Sequence, residues 1–543
     1  MRHRRERRRS GSDSPDTDFG TSPSPPKAAA SLAGPVALDW GRGRRRTATH
    51  VIRDGPTPTR RTIFDLVFRQ MSIRIFGWRR RCATPAGPAS IAGLLVLPLT
   101  ASLCPAEQPY RIEVVEKESG WPVPLVELRT THNVQLVTDN AGVAAFDLPE
   151  LMNVQTWLSV RSDGYEVQPD GFGFRGVRVK PTPGGKVTIE VERTQLARRL
   201  GRLTGAGLFA DSQRFGEHTD WPESGVVGCD SVQLTEYRGR LLWAWGDTTL
   251  AKYPLGLFQM TGATTPTRPL EQPRPPIELR FDYFRGPTGE PRTLAEIDGP
   301  GPTWLYGFAT LPDADGVEHL VASYEKIKPP LEAYETGMCE WDESQQRFIR
   351  TRVLWRAEEG VLTPPGMPVG HTVRWADKAT GEWLLFGHGL PELKIRPTYE
   401  SWANPASWET IEAKLPVTAR GSKKTVEPHR GSIAWNGYLE TWLFLFTESH
   451  GEPSAFGEIW LAQADSPLGP WRDAVKVATH ANYTFYNPRL HPELVDEDSP
   501  VLLFEGTYTV AFANSPEPTP RYDYNQILYR LDLDDAAFPN ADD

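Results

Sequence analysis

Cysteine and methionine are scarce, with four and six in 543 residues. Two of the cysteines, Cys82 and Cys104, precede residue 107, so only Cys229 and Cys339 serve the rest of the chain. That count excludes a disulfide-built scaffold and leaves either one disulfide or two buried thiols. No compact spacing of His, Cys, Asp and Glu marks a metal site. Sustained helical periodicity is almost absent, which argues against a helical bundle. The one conspicuous apolar run, IAGLLVLPLTASLCPA (91–106), is too short for a stable membrane span. Basic charge is concentrated in the opening MRHRRERRRS, so the net charge of −9 understates how acidic the remainder is. An acidic surface of that kind excludes nucleic acid and anionic lipid as partners.

What the chain does have is Trp, Tyr, Pro and Gly: 18, 16, 50 and 47 respectively. Aromatics separated by turn formers favour β structure, and the length calls for more than one domain. Residues 1–70 read as a disordered basic segment with little to bury. Residues 71–106 read as a secretory signal, a basic MSIRIFGWRRR followed by the apolar run and a small-residue exit. Met71 is the expected true start, and the expected location is secreted or periplasmic. Leu103 before Cys104 is too large for a typical lipoprotein signal.

Residues 107–192 alternate short strands with Gly, Asn and Pro turns, as in a small β-sandwich. RTQLARRLGRL (193–203) reads as a linker helix. Residues 204–534 then repeat one theme five times. In each repeat a polar-flanked strand precedes a very apolar strand that ends in an aromatic and a polar group. The second strands are RLLWAWGDTTL, HLVASYEKI, EWLLFGHGL, TWLFLFTESH and VLLFEGTYT. A period of about 50–60 residues with about four strands each signals a five-bladed β-propeller, with a pair of sandwiches as the alternative. An acidic tail, 535–543, follows.

In a propeller the start of the first strand and the end of the second share one face of the disc. That rule gathers Asp230, Asp247, Glu325, His371, His388, Glu427, His429, Arg430, Glu448, Asn487, His491 and Glu505 around one mouth. Several carboxyls around a watery funnel suit glycoside hydrolysis, where one stays ionised and another is held protonated. Ordinary roles compete: Asp247 capping its turn, His371 and His429 as satisfied channel histidines, Arg430 paired with Glu427 or Glu448. Recurrence in all five repeats favours a ligand-binding face.

Three passages carry a resemblance: GCDSVQLTEYRGRLLWAWGDT, SAFGEIWLAQADSPLGPW, and YTFYNPRLHPEL with LLFEGTYT and TPRYDYNQILYRLDL. They resemble a group of exported planctomycete-type proteins and, more distantly, the propeller glycosidases (arabinanases, β-xylosidases, levansucrases). The unit at 107–192 is similar to carboxypeptidase-regulatory-like domains, which usually act as spacers or adhesion elements. The resemblance implies an all-β chain, a sandwich followed by a five-bladed propeller, acting on an extracellular polysaccharide or oligosaccharide as a monomer. By position Asp230 takes the base or nucleophile role, and Glu505 or Glu325 the acid. Where those propellers carry their usual Glu on the third inner strand, His371 stands here. Asp247, His371, His429, Arg430, Asn487, His491 and Tyr508 would hold substrate, with Tyr483, Phe485 and Tyr486 stacking on sugar rings. No cofactor is expected; some of these propellers hold a central Ca²⁺ or Na⁺, and the resemblance would make His371 the channel histidine beside it. A lectin-like propeller and a polysaccharide lyase built on His429 and Arg430 are the alternatives.

Overall fold

The computed structural model describes residues 108–252, 259–329, 331–359, 366–412, 416–513 and 515–535. The segments read as a basic N-terminus and a secretory signal, and the tail beyond residue 535, lie outside them. Among the described residues no helix is long and apolar enough to cross a membrane.

The N-terminal unit is two four-stranded sheets. One orders Val143–Phe146, Tyr110–Glu116, Lys186–Arg193 and Tyr165–Glu166; the other orders Gln135–Val137, Glu127–Thr130, Thr156–Arg161 and Gly176–Val179. Alternation in YRIEVVE sends Tyr110, Ile112 and Val114 inward, where they meet Leu128, Phe146, Leu158 and Val191.

Five antiparallel sheets follow, four of four strands and the first of five, in which Gly228–Cys229 and Val232–Tyr237 both pair with Arg240–Thr249. Blade one holds Val232–Tyr237, Arg240–Thr249, Met260–Pro266 and Asp282–Tyr283, and blade two holds Thr303–Pro312, Glu318–Lys328, Glu332–Asp342 and Arg347–Arg356. Blade three holds Val373–Asp377, Gly381–Phe386, Leu393–Ile395 and Glu409–Thr410, and blade four holds Pro428–Asn436, Thr441–Glu448, Ile459–Ala464 and Arg472–Ala478. Blade five takes Thr484–Leu490, Val501–Thr509 and Asn525–Asp532 from the end of the chain, and its outermost strand is Arg198–Arg202.

That last strand corrects the linker helix expected at 193–203. Its Leu200 and Arg202 are almost fully buried, and Ile527 pairs with Arg202 and Leu528 with Gly201. Pairing with an open sheet edge satisfies every second backbone group and overrides the local helical pattern. The ring is sealed by apolar clusters at each junction. Trp243 and Trp245 of blade one meet Leu503 and Leu528 of blade five. Phe308 of blade two packs with Leu242 of blade one, and Leu311 packs with Phe386 and Trp402 of blade three. Val373 joins Phe444 and Trp471 at the third junction, and Leu445 joins Phe485 and Phe504 at the fourth. Each such side chain contributes about 1.5–3 kcal/mol by leaving water. Trp471 follows the PLGP turn and lies 5.2 Å from Phe444 of its own blade.

The sandwich is fastened to blade five. The Arg199 guanidinium donates to Pro124 O (3.0 Å), Asp163 O (3.2 Å) and the Ser162 hydroxyl, and Arg202 N–H donates to Asn140 Oδ1 (2.9 Å). Cys229 and Cys339 are separate buried free thiols, so the disulfide alternative is excluded.

Candidate active site at the propeller mouth

Four blades break register where the mouth begins. The shifts fall between Trp245 and Asp247, Tyr306 and Ala309, Pro428 and Gly431, and Tyr486 and Arg489. A bulge bends its strand and re-aims the side chain at the bend. These four carry Asp247, Tyr306, His429 with Arg430, and Asn487, whose φ of 50° is left-handed. Asn is one of the few residues that tolerates that conformation.

Asp230 is the centre of the arrangement. The Tyr486 hydroxyl donates to its Oδ2 at 2.7 Å, and the backbone N–H of Asp247 also reaches its carboxylate. Gly246 is required beneath it, because a Cβ there would lie 1.8 Å from Asp230 Oδ1. Burial and the neighbouring Asp247 push Asp230 from 3.8 up to about 7. Burial pushes Asp247 up to about 6, opposed by the Trp304 indole N–H, which donates to its Oδ1 at 3.0 Å. The two carboxyls therefore titrate as a pair that keeps a proton near neutrality. The larger rise falls on Asp230, the more deeply buried member. Asp230 nevertheless collects two donors and the field of Arg430, against one donor for Asp247. The proton therefore belongs to the pair, with Tyr486, the Asp247 N–H and Arg430 favouring charge on Asp230 and the Trp304 indole favouring charge on Asp247. The turn-capping role weighed for Asp247 is replaced by this one.

Glu325, on the second strand of blade two, shares the neighbours Tyr306 and Arg430 with Asp230. It is half-buried, accepts from the Tyr306 hydroxyl at 3.3 Å, and burial raises its pKa, with Tyr306 and Arg430 opposing. Arg430 of blade four makes no hydrogen bond or ion pair among the described residues. Its charge acts on Asp230, Glu325, Tyr306, His388 and His429. The anticipated pairing with Glu427 or Glu448 is absent: Glu448 instead accepts from the Trp460 indole at 2.8 Å. Burial and then Arg430 hold His388 at about 3 and His429 at about 4, so both are neutral at pH 7. The rings of His388 and Tyr306 meet edge-on at 5.9 Å, and that of His429 lies 4.5 Å from Phe456. Asn487 donates to the Ser231 hydroxyl beside Asp230.

Asp230, Asp247, Glu325, His388, His429, Arg430, Tyr486 and Asn487 thus come together. The other predicted residues do not. Glu505 has no exposed surface, and its Oε1 pairs with His491 Nε2 at 3.0 Å. It cannot serve as the acid, because no substrate reaches it. Its strand continues to Thr509, and Tyr486 of the mouth pairs with Thr507, so Glu505 sits two residues below the rim. His491, also fully buried, ends the inner strand on the far side and contacts Glu493 and Arg489. His371 stands beside that group, its pKa lowered by burial and then by Arg489 and His491. No cluster of three or more His, Cys, Asp or Glu suited to a metal exists among the described residues. Tyr508 is buried, and its hydroxyl donates to Asp163 of the sandwich. Of the proposed stacking aromatics, Tyr483 and Phe485 are core, and only Tyr486 reaches the mouth. Glu335, on the third strand of blade two, accepts from the Tyr324 hydroxyl at 2.7 Å and from Arg356 at 2.8 Å.

Sequence reasoning passed over Trp304, Tyr306 and Tyr524. Trp304 and Tyr306 alternate on the inner strand TWLYGFATLP, a pattern that points both side chains to one face. Tyr524 is raised by burial and by Asp230 and Asp247, which places it at the pair. No period marks it, since it lies in a loop. Phe512, 70% exposed, extends the aromatic wall 6.1 Å from Tyr486.

The fold and site together define an all-β chain whose propeller mouth holds paired carboxyls, a third carboxyl and an unpaired guanidinium. No family model matches the chain, and no curated protein matches it. Solved structures similar to it include an exo-1,5-α-L-arabinanase from a bovine ruminal metagenomic library (10% identity, TM-score 0.33). The overlap covers 57% of this chain and 94% of that one. An α-L-arabinofuranosidase from Podospora anserina in complex with cellotriose gives 11% and 0.31, over 56% and 91%. A GH43_1 enzyme from Xanthomonas citri complexed with xylose gives 9% and 0.32, over 56% and 86%. Superpositions this loose leave the five sheets and the converging side chains as the grounds for fold and function.

Proposed function

We propose that the mouth hydrolyses glycosidic bonds of an extracellular polysaccharide or oligosaccharide. The observation that carries this reading is the proton-sharing Asp230–Asp247 pair with a second raised carboxyl, Glu325, tied to it through Tyr306 and Arg430. Hydrolysis needs one anionic and one protonated carboxyl flanking the same bond. Asp230 is the anion, acting on the anomeric carbon directly or through a water whose proton it takes. Glu325 gives its proton to the departing glycosidic oxygen. Asp247 holds the shared proton and so keeps Asp230 ionised alone. Arg430 and Asn487 bond sugar hydroxyls, while Tyr486, Tyr524 and Phe512 form an apolar wall for a ring face. Export, supported by the signal-like 71–106, places the substrate outside the cell. The sandwich then acts as spacer or adhesion element, in keeping with its carboxypeptidase-regulatory-like pattern.

The test is incubation of the protein with a polysaccharide panel, reading reducing ends and unsaturated-uronate absorbance. New reducing ends that vanish in Asp230→Asn and fall at least a hundredfold in Glu325→Gln support the reading. Absorbance without such dependence assigns a lyase, and binding without product assigns a lectin; either sinks hydrolysis.

A further inference from the structure

The inner strands of blades four and five run from the mouth to the opposite face of the ring. Arg430 and Tyr486 lie toward one end, Trp435–Asn436 and Leu490 at the other. At that far end they enclose a cavity of about 390 Å³. Its size falls at the lower end of small-ligand pockets, enough for one or two sugar rings.

The cavity has an apolar floor and a mixed rim. Leu443, Leu490 and Leu502 form the floor, and Trp442 and Trp435 form a wall, meeting edge-on at 5.7 Å. Trp435 is 43% exposed on a strand whose other large apolar residues are buried. Its indole N–H has no partner among the described residues. An exposed Trp beside a cavity is an unused apolar platform with a donor at its edge. Asp496 and Glu497 stand on one side of the rim, and neither carboxylate is hydrogen-bonded or paired among the described residues. Arg374 stands on the rim as well, with one guanidinium nitrogen donating to Thr310 O at 3.2 Å.

This set of groups selects its ligand. A purely apolar molecule would strip water from two carboxylates and return no hydrogen bond. An anion meets Asp496 and Glu497, and a cation meets Arg374. A neutral polyol satisfies all three, since hydroxyls both donate to carboxylates and accept from guanidinium and indole N–H. One face of a sugar ring also carries the C–H groups that lie on an indole. We propose that this far face is a second, non-catalytic saccharide-binding site, which holds a neutral sugar unit over Trp435. The proposal does not depend on hydrolysis at the mouth.

The test uses the full chain labelled with 5-fluorotryptophan and read by fluorine NMR, with Trp435 assigned from Trp435→Phe. Xylotriose, arabinotriose and β-1,3-galactotriose are the probes. The expected result is a saturable shift of the Trp435 resonance. In Asp496→Ala/Glu497→Ala the Kd at this resonance should rise at least tenfold, with the Trp304 resonance at the mouth responding as before. Both carboxylates are exposed, so the double variant keeps its fold. A Trp435 resonance that stays still up to the solubility limit of every probe overturns the site. So does a shift that follows protein concentration without sugar, which would assign the face to self-association. The Trp304 resonance reports the mouth separately, so failure of one site is not failure of the other.

Discussion

Replacing Asp247 by Asn tests the electrostatics of the mouth without any assumption about substrate. The substitution keeps an oxygen for the Trp304 indole and removes one of two neighbouring carboxyls. Asp247 climbs from 3.8 in the unfolded chain to about 6 in the folded one. A raised carboxyl favours folding at low pH, and that favour is lost as pH rises from 3.8 through 6. Ionising it costs the folded state about 3 kcal/mol at pH 8 and about half that at pH 5, at about 1.4 kcal/mol per pKa unit. The Asn variant escapes both costs, and relief of the repulsion on Asp230 adds to the gain. It should therefore be more stable than the parent, by roughly twice as much at pH 8 as at pH 5. Urea unfolding at the two pH values, followed by tryptophan fluorescence, gives the difference directly. A gain independent of pH, or a loss at pH 8, would refute the buried pair. Activity should fall in the same variant, because Asp230 then takes its proton at lower pH and its basicity drops.

Other outcomes follow from the same geometry. Gly246→Ala should lower the rate of polysaccharide cleavage about a hundredfold, since displacing a reacting group by ~1 Å costs that much, and the added Cβ collides with Asp230. Reducing-end assays and an unchanged far-UV spectrum check it together. Glu505→Ala should destabilise the protein by about 3–5 kcal/mol by leaving buried His491 Nε2 without its partner, as measured by denaturation. Tyr508→Phe should cost about 1.5–3 kcal/mol through the lost bond to Asp163 and leave cleavage rates intact. Leu200→Ala should cost about 2–5 kcal/mol, the range for a fully buried leucine.

The propeller was legible because its second strands announce themselves. RLLWAWG, EWLLF and TWLFLF are apolar on both faces, as strands stacked between neighbouring blades must be. The strand-end rule also found Asp230, Asp247, Glu325 and Arg430. It failed at Glu505 and His491, because the bulge at Tyr486–Arg489 and the length of Val501–Thr509 set the depth of each side chain. Neither leaves a mark in composition. Tyr508 was misplaced for another reason: its partner Asp163 lies in a different domain. The helix expected at 193–203 was the reverse case, a local pattern overridden by an edge three hundred residues away in the chain.

That edge has a consequence for how the molecule is made. Arg198–Arg202 emerges from the ribosome long before Asn525–Asp532, the strand it must meet. The intervening loop carries a closure entropy that grows only slowly with length, yet a pairing so distant forms late. The sandwich, whose strands are close in sequence, is complete far earlier. Once folded it holds Arg199 through Pro124 and Asp163, with the free edge already in register. The N-terminal domain thus works as a jig during synthesis, presenting a fixed docking line to the last blade as it arrives.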